Sequence, residues 1–273
     1  MTKENTYVLA TGSHDYQRLT LLSRLYNPGG VHFMKQAGLK AGMKVLEVGC
    51  GTGHMAVDLA KVVGPAGTVV ASDNSEAQLA ITRDTIEQAG VKNVQTLHLD
   101  LKSDLSKYQG QFDFIYGRWV IEWNRDAAAR ILQELYQALK PGGILVYESI
   151  DVEDSGMSSY PDRTVLQRYD LLSKKVWVHN HMEFGFIKRA YFLLKEWGAE
   201  AVDMGVNQVV LKTAEEKIVM RLGMLSAEAF LKQGIQTDQE FDEVVQDFKT
   251  MEESECIAGF FRNFLVSAKR PVV

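Results

Sequence analysis

The sequence predicts an α/β protein built on a doubly wound, mostly parallel sheet with helices on both faces. Three observations carry that expectation. Val45-Leu46-Glu47-Val48 reads as a buried strand, and Gly49-Cys50-Gly51-Thr52-Gly53 turns it straight into a helix. Strand and helix signals then alternate to about residue 150, the rhythm of right-handed crossovers. Asp73 and Asp100 close the second and third strands, at the sheet edge where open α/β folds bind ligands.

Taken in order, residues 1–12 are expected as an extended arm carrying Tyr7. Ser13 or Asp15 would cap a helix to about Tyr26, with Leu19, Leu22 and Tyr26 on one apolar face. Asn27-Pro28-Gly29-Gly30 is expected to break the chain before a second helix over 31–38. These two helices precede the sheet and would lie across its ligand edge as a lid. Strands follow at 68–72, 94–99, 112–116 and 144–149, with helices at 52–63, 75–89 and 125–139 between them. Lys140-Pro141-Gly142-Gly143 reads as the turn before the fifth strand.

Beyond residue 150 the rhythm changes. Residues 151–182 hold few sheet signals but several aromatics, Tyr160, Tyr169 and Trp177 among them. A helix over 184–196 precedes a strand near 200–211, and the last strand spans Gly259 to Ala268. Helical stretches at 214–233 and 238–252 lie between these strands, so 212–255 reads as an insertion. The chain is expected as one domain: helices over 1–42, a ligand-binding core over 43–150, and a pocket-shaping segment over 151–273.

Composition narrows the function. The 273 residues are 46% hydrophobic and 24% charged, which allows a large core without staples. The net charge of −5 offers no global attraction to nucleic acid or membrane. The polar start Met1-Thr2-Lys3-Glu4-Asn5 has no secretory core, and no run is apolar enough to span a membrane. Cys50 and Cys256 lack metal-ligand spacing, so no metal is expected and a reducing cytoplasm fits best. Oligomeric state stays open, a homodimer included.

The residues at the strand ends suit a nucleoside. A carboxylate at Asp73, 22 positions after Gly51, can accept both hydroxyls of a ribose, although capping the next helix is the plainer role. Asp100 can accept an exocyclic amine, with Leu101 packing on the ring; an exposed turn is the alternative. Asn74 and Gln78 sit in the turn that would flank the base, where helix-start polar residues are also ordinary. A nicotinamide oxidoreductase loses ground because His54 stands where G-x-G-x-x-G requires its third glycine.

The acid two residues before the first glycine, Glu47-Val48-Gly49-Cys50-Gly51-Thr52-Gly53, resembles motif I of the class I S-adenosylmethionine-dependent methyltransferases. Asp73 is similar to the acidic end of motif II, His98-Leu99-Asp100 to motif III, and Phe112 to Arg118 to motif IV. Tyr7-Val8-Leu9 and Gln17-Arg18-Leu19 resemble a segment preceding the core in bacterial small-molecule enzymes of the ubiquinone/menaquinone type. The resemblance implies a Rossmann-like seven-stranded sheet of order 3-2-1-4-5-7-6 with strand 7 antiparallel. It implies S-adenosylmethionine as cofactor and S-adenosylhomocysteine as product. Glu47 with Gly49, Gly51 and Gly53 would hold the amino-acid end, Asp73 the ribose, and Asn74, Gln78, Asp100 and Leu101 the adenine. Arg118 ends strand four beside them, and Arg18 would add a carboxylate contact from the lid.

The acceptor side is less determined. Tyr7 and Tyr16 could close over the methyl donor, and Trp119, Trp123 and Trp177 could wall an acceptor pocket. Glu148, Asp151, His179 and His181 are base candidates, none preferred, so no catalytic residue is assigned. An Asn/Asp-Pro-Pro-Tyr box and a Pro-Cys nucleophile are absent, against nucleic-acid methylation, and two cysteines are too few for arsenite chemistry. A small O, N or C acceptor, methylated by in-line displacement, fits best. An S-adenosylmethionine binder without catalysis is the other open reading.

Overall fold

Alternation along the strands sends Val45, Val69, Phe114 and Val146 to one face of the sheet and Leu46, Ile115 and Leu145 to the other. Both sets are fully buried, so helices must cover both faces. The computed structural model describes residues 15–151, 153, 155–161, 164–179, 182, 183, 185–232 and 235–272. Helix α1 (Tyr16–Ala37) leads to β1 (Lys44–Val48), α2 (His54–Val63), β2 (Thr68–Asp73), α3 (Glu76–Ala89), β3 (Val94–His98) and β4 (Phe112–Arg118). A 3-10 turn over Glu122–Ala127 runs into α4 (Ala128–Ala138) and β5 (Leu139–Ile150). Then come β6 (Ser158–Tyr160), α5 (Thr164–His179), α6 (Phe186–Glu196), β7 (Glu200–Leu211), α7 (Ala214–Ser226), α8 (Glu228–Leu231), α9 (Asp238–Glu253) and β8 (Ile257–Lys269).

The sheet order is β3-β2-β1-β4-β5-β8, with β1 to β5 parallel and β8 antiparallel to β5. β5 and β7 both pair with β8 over residues 263–269, so they flank it on opposite edges. This is the expected order, with β8 in the place of strand 7 and β7 in that of strand 6. The expected count of seven is corrected to eight. β8 runs past the end of β5, and the three-residue β6 pairs with the overhang at Ile257–Gly259.

Residues Met34, Leu59 and Val63 from α1 and α2 cover one face, and Ile131, Leu132, Ile187 and Leu194 from α4 and α6 cover the other. A third apolar cluster gathers α1, α5, α7 and α9 around Ile150 and Phe260-Phe261. The insertion is helical as expected, but it is divided at Ala227, and capping boxes at Thr213/Glu216 and Thr237/Glu240 start α7 and α9.

Two expected breaks are not breaks. Lys140-Pro141-Gly142-Gly143 lies within β5, as an irregularity in its pairing with β4. Asn27-Pro28-Gly29-Gly30 lies inside a continuous α1, and the separate helix over 31–38 is its second half. Pro28 forfeits one helix bond, and tertiary contacts outweigh that loss. The buried Tyr26 hydroxyl donates to the Phe261 carbonyl at 2.7 Å, and Asn207 Nδ2 donates to the Tyr26 carbonyl at 3.0 Å. The glycines serve close approach: a Cβ on Gly29 would meet Asn207 Oδ1 at 2.2 Å, and one on Gly30 would meet Glu148 Oε2 at 3.2 Å. Asn207 cannot swing aside freely, because its Nδ2 also donates to Glu148 Oε1 at 3.0 Å. Gly29→Ala is therefore expected to destabilise the protein by about 1–3 kcal/mol, measured as a lower urea midpoint.

Candidate functional site

β1 ends at Val48, and the next residues must reverse direction within five positions to start α2. Gly49, Gly51 and Gly53 do so with φ of +70°, +55° and +79°, a region costly for any residue with a Cβ. Gly49 also lets the turn after β4 approach, since a Cβ there would stand 3.0 Å from Val120 Cγ2. Asp73, at the end of β2, pins the loop from the neighbouring strand. Its Oδ2 accepts from the Gly51 N–H at 3.0 Å and its Oδ1 from the Ser75 N–H at 2.9 Å. Burial raises its carboxyl above the usual range, against the pull of those N–H groups.

These elements wall one end of a cavity of about 430 Å³. Gly49, Gly51, Asp73, Asn74, Gln78 and Asp100 line that end, with Leu101 and Arg118 beside them. Asp100 is exposed, with Oδ1 accepting from the Lys102 N–H at 2.8 Å. At the other end stand Trp119, Trp123, Tyr169, Trp177, Phe260 and Phe261, backed by aliphatic residues and methionines. One cavity thus joins a polar, glycine-lined end to an apolar, aromatic lobe. α1 reaches it with Asp15, Arg18, Leu19 and Leu22.

Three of the expected ligand residues lie off the wall. Gly53 packs on α3 instead, its Cβ position 3.0 Å from Thr82 Cα. Glu47 is buried below the loop, and its Oε2 has no hydrogen-bond partner. Burial pushes its carboxyl up to about 8, although the Arg118 guanidinium pulls the other way. Tyr16 is corrected: it sits at the start of α1 with its ring 6.0 Å from that of His54, outside the cavity. Tyr7 and His181 lie outside the described residues. Arg18 lines the cavity but is held by Asp15 at 2.7 Å from Nε, so its charge is already matched there.

The base candidates also change. Glu148 is wholly buried and accepts from Tyr116 (2.7 Å), Asn207 (3.0 Å) and Asn263 (2.7 Å), so it is a structural hub. Asp151 pairs with Lys188 at 2.8 Å, and the exposed His179 ring lies 4.3 Å from that of Phe230; neither lines the cavity. Besides Asp15, which is paired with Arg18, a second carboxyl lines the lobe side: Glu122, an acid within Trp119-Val120-Ile121-Glu122-Trp123 and not among the expected site residues. Burial pushes it up to about 7. It accepts from the Tyr147 hydroxyl and from Ser149 Oγ at 2.6 Å. Tyr147 Oη also accepts from the Ile121 N–H at 2.9 Å, which anchors the turn carrying Trp119 and Trp123.

The donor set fits S-adenosylmethionine. Each Asp73 oxygen keeps a lone pair for a ribose hydroxyl after its backbone bond. Glu47 Oε2 and Gln78 Oε1 are buried acceptors without partners, suited to the ammonium and to an adenine amine. Arg118 stands between the ends, donating to Asn27 Oδ1 at 3.1 Å, while Asn27 Nδ2 donates to Asp58 at 2.8 Å. Among the described residues no cluster suited to a metal ion occurs, and no helix is long and apolar enough to cross a membrane.

Comparison with known proteins agrees with this geometry. Residues 45–143 match a family model described as a methyltransferase domain. The chain is 33% identical over 113 residues to the demethylmenaquinone methyltransferase of Lactococcus lactis, covering 41% of this chain and 44% of that one. It spans about half the length of the relatives it matches. An S-adenosylmethionine-dependent methyltransferase from Aquifex aeolicus shares the fold with a TM-score of 0.51 at 19% identity, covering 90% of this chain and 91% of that one. The [4+2]-cyclase SpnF does so with a TM-score of 0.50 at 19% identity, covering 100% and 86%. The glycine loop, the Asp73 anchor and the parallel strands β1 to β4, Lys44 apart, thus fall within residues 45–143, the stretch that matches the methyltransferase domain.

Proposed function

We propose that the chain transfers a methyl group from S-adenosylmethionine to a small, uncharged and largely apolar acceptor. The observation that carries this reading is the single cavity joining the Asp73–Gly51 anchor to the aromatic lobe. When bound, S-adenosylmethionine supplies an already activated methyl group. The chain's own part is to bind, align and exclude water. Asp73 would hold the ribose, Glu47 the ammonium, and Gln78, Asn74 and Asp100 the adenine edge. Gly49 and Gly51 let the backbone come close to the amino-acid portion. Trp119 and Trp123 wall the lobe, on the turn held by the Glu122–Tyr147 anchor. Arg18, Trp177 and the start of α1 would close the lobe over the acceptor.

An uncharged acceptor suits the lobe because the cation that acts on Tyr169, Arg18, is paired with Asp15. The relatives' name, demethylmenaquinone methyltransferase, is consistent with an uncharged, largely apolar acceptor. Yet, apart from the turn carrying Trp119, Glu122 and Trp123, the lobe is built by α1 and by residues from 150 onward, outside the matched stretch, so the acceptor's identity does not transfer. The proposal includes a cytoplasmic place and a role for residues 1–42 as a lid. A second reading, cofactor binding without methyl transfer, is kept by the shared fold of the [4+2]-cyclase, since fold alone does not set activity.

Calorimetry tests the cofactor: S-adenosylhomocysteine is expected to bind and NADH not to. The reverse would mark an oxidoreductase. Transfer of labelled methyl to a panel of phenols, quinols, amines and thiols separates the enzyme from the silent binder. No turnover across the panel would favour the binder.

A further inference from the structure

The aromatic lobe has one polar corner, and a glycine makes room for it. Tyr169, on α5, lines the cavity and is 4% exposed. Burial raises the pKa of its hydroxyl, and the Ser173 hydroxyl, one turn along the same helix, acts on it to lower that pKa. Each hydroxyl can donate one proton and accept on its lone pairs, so even when they bond to each other the two keep a donor and spare lone pairs. The ring cannot move far: Phe248, Phe260 and Phe261 surround it at 5.5, 6.0 and 5.6 Å between centroids.

Facing it is Gly223, inside α7, where glycine costs about 0.5–1 kcal/mol relative to alanine. No turn requires it, because its backbone is helical. A Cβ there would stand 2.4 Å from Tyr169 Oη, while the next ring atom is 3.4 Å away. Gly223 and Tyr169 both line the cavity, so the missing side chain makes room for the hydroxyl at the cavity wall, seated against α7. The Asp15–Arg18 pair also lines this side, and both partners act electrostatically on Tyr169.

We propose that Tyr169, accommodated at the cavity wall by Gly223, is the specificity-determining residue of the acceptor lobe and reads one uncharged hydroxyl or carbonyl oxygen on an otherwise apolar acceptor. This rests on the reading of the lobe as the acceptor site. Apolar walls take the body of the molecule, and the Tyr169–Ser173 pair exchanges a hydrogen bond with its oxygen. A carboxylate is disfavoured, because the nearby guanidinium is already matched by Asp15.

Calorimetry with saturating S-adenosylhomocysteine tests this with three small probes: p-cresol, its near-isostere p-xylene, and 4-methylbenzoate. Tyr169→Phe is expected to weaken p-cresol about tenfold while p-xylene stays within about twofold. 4-Methylbenzoate is expected to bind more weakly than p-cresol to the native chain. Equal losses for p-cresol and p-xylene, no loss for either, or a preference for the carboxylate would each overturn the proposal. Thermal melts supply an independent readout. Gly223→Ala should lower Tm in the native background but not in Tyr169→Phe, where the 2.4 Å contact is gone. The same penalty in both backgrounds counts against the pairing. S-Adenosylhomocysteine affinity, measured first on the native chain, separates the two levels: if it fails there, the methyltransferase reading falls whatever the probes do.

Discussion

Asp73→Ala is expected to weaken S-adenosylhomocysteine binding by about 3 kcal/mol, roughly 150-fold. Two losses combine in that figure. A charged acceptor for two ribose hydroxyls disappears, and so does the anchor of the glycine loop, since Asp73 Oδ2 takes the Gly51 N–H at 3.0 Å. Asp73→Asn separates them. Its amide oxygen can keep one backbone bond, so its affinity should fall between native and alanine. Calorimetry at constant pH and salt measures both. Native affinity in the alanine variant would remove Asp73 from the ribose role.

Glu47→Gln is expected to move stability and affinity in opposite directions. In the folded chain without cofactor, burial pushes the Glu47 carboxyl up from 4.5 to about 8. A raised folded pKa means that the folded state holds the proton more tightly than the unfolded one. Its stabilising share is full below pH 4.5 and is lost as pH climbs to about 8. Glu122, raised to about 7, adds a loss of the same sign over a narrower window. Removing the charge at Glu47 should therefore make the cofactor-free protein more stable at pH 8, by on the order of 3 kcal/mol, and flatten the slope between pH 5 and 8. Affinity should fall by about tenfold or more, because glutamine cannot offer an ammonium a charge. Native S-adenosylhomocysteine binding should release close to one proton at pH 7, as the ligand's ammonium ionises Glu47. Calorimetry in buffers of different ionisation enthalpy measures that proton. A stabilised variant with native affinity would leave Glu47 as an ordinary buried acid.

Much of the cofactor end was legible because its chemistry is local in sequence. Gly49, Gly51 and Asp73 announce themselves by residue type and spacing, and they meet through neighbouring parallel strands. What escaped depends on distant partners. Pro28-Gly29-Gly30 has the composition of a break, and only Asn207 and Glu148 explain why the helix continues. Glu148 looked like a base because it ends a strand, but donors from β4, β7 and β8 occupy it. Tyr16 looked like a lid aromatic, but its position on α1 turns it towards His54. Glu122 had a faint signal, an acid between Ile121 and Trp123 in an apolar run. Gly223 had another, a glycine inside a good helix pattern, though nothing local could name Tyr169 as its partner.

The overhang of β8 has an evolutionary consequence. One strand serves two neighbourhoods: residues 263–269 are held between β5 and β7, while Phe260 and Phe261, just before that stretch, face the acceptor lobe. Substitutions in the overhang, in α5 or in α7 can reshape the lobe while the paired strands keep their register. On the proposed function, a lineage can therefore change its acceptor without reinventing its cofactor site. Ancestry remains readable in residues 45–143, and diversity would accumulate where the lobe is built.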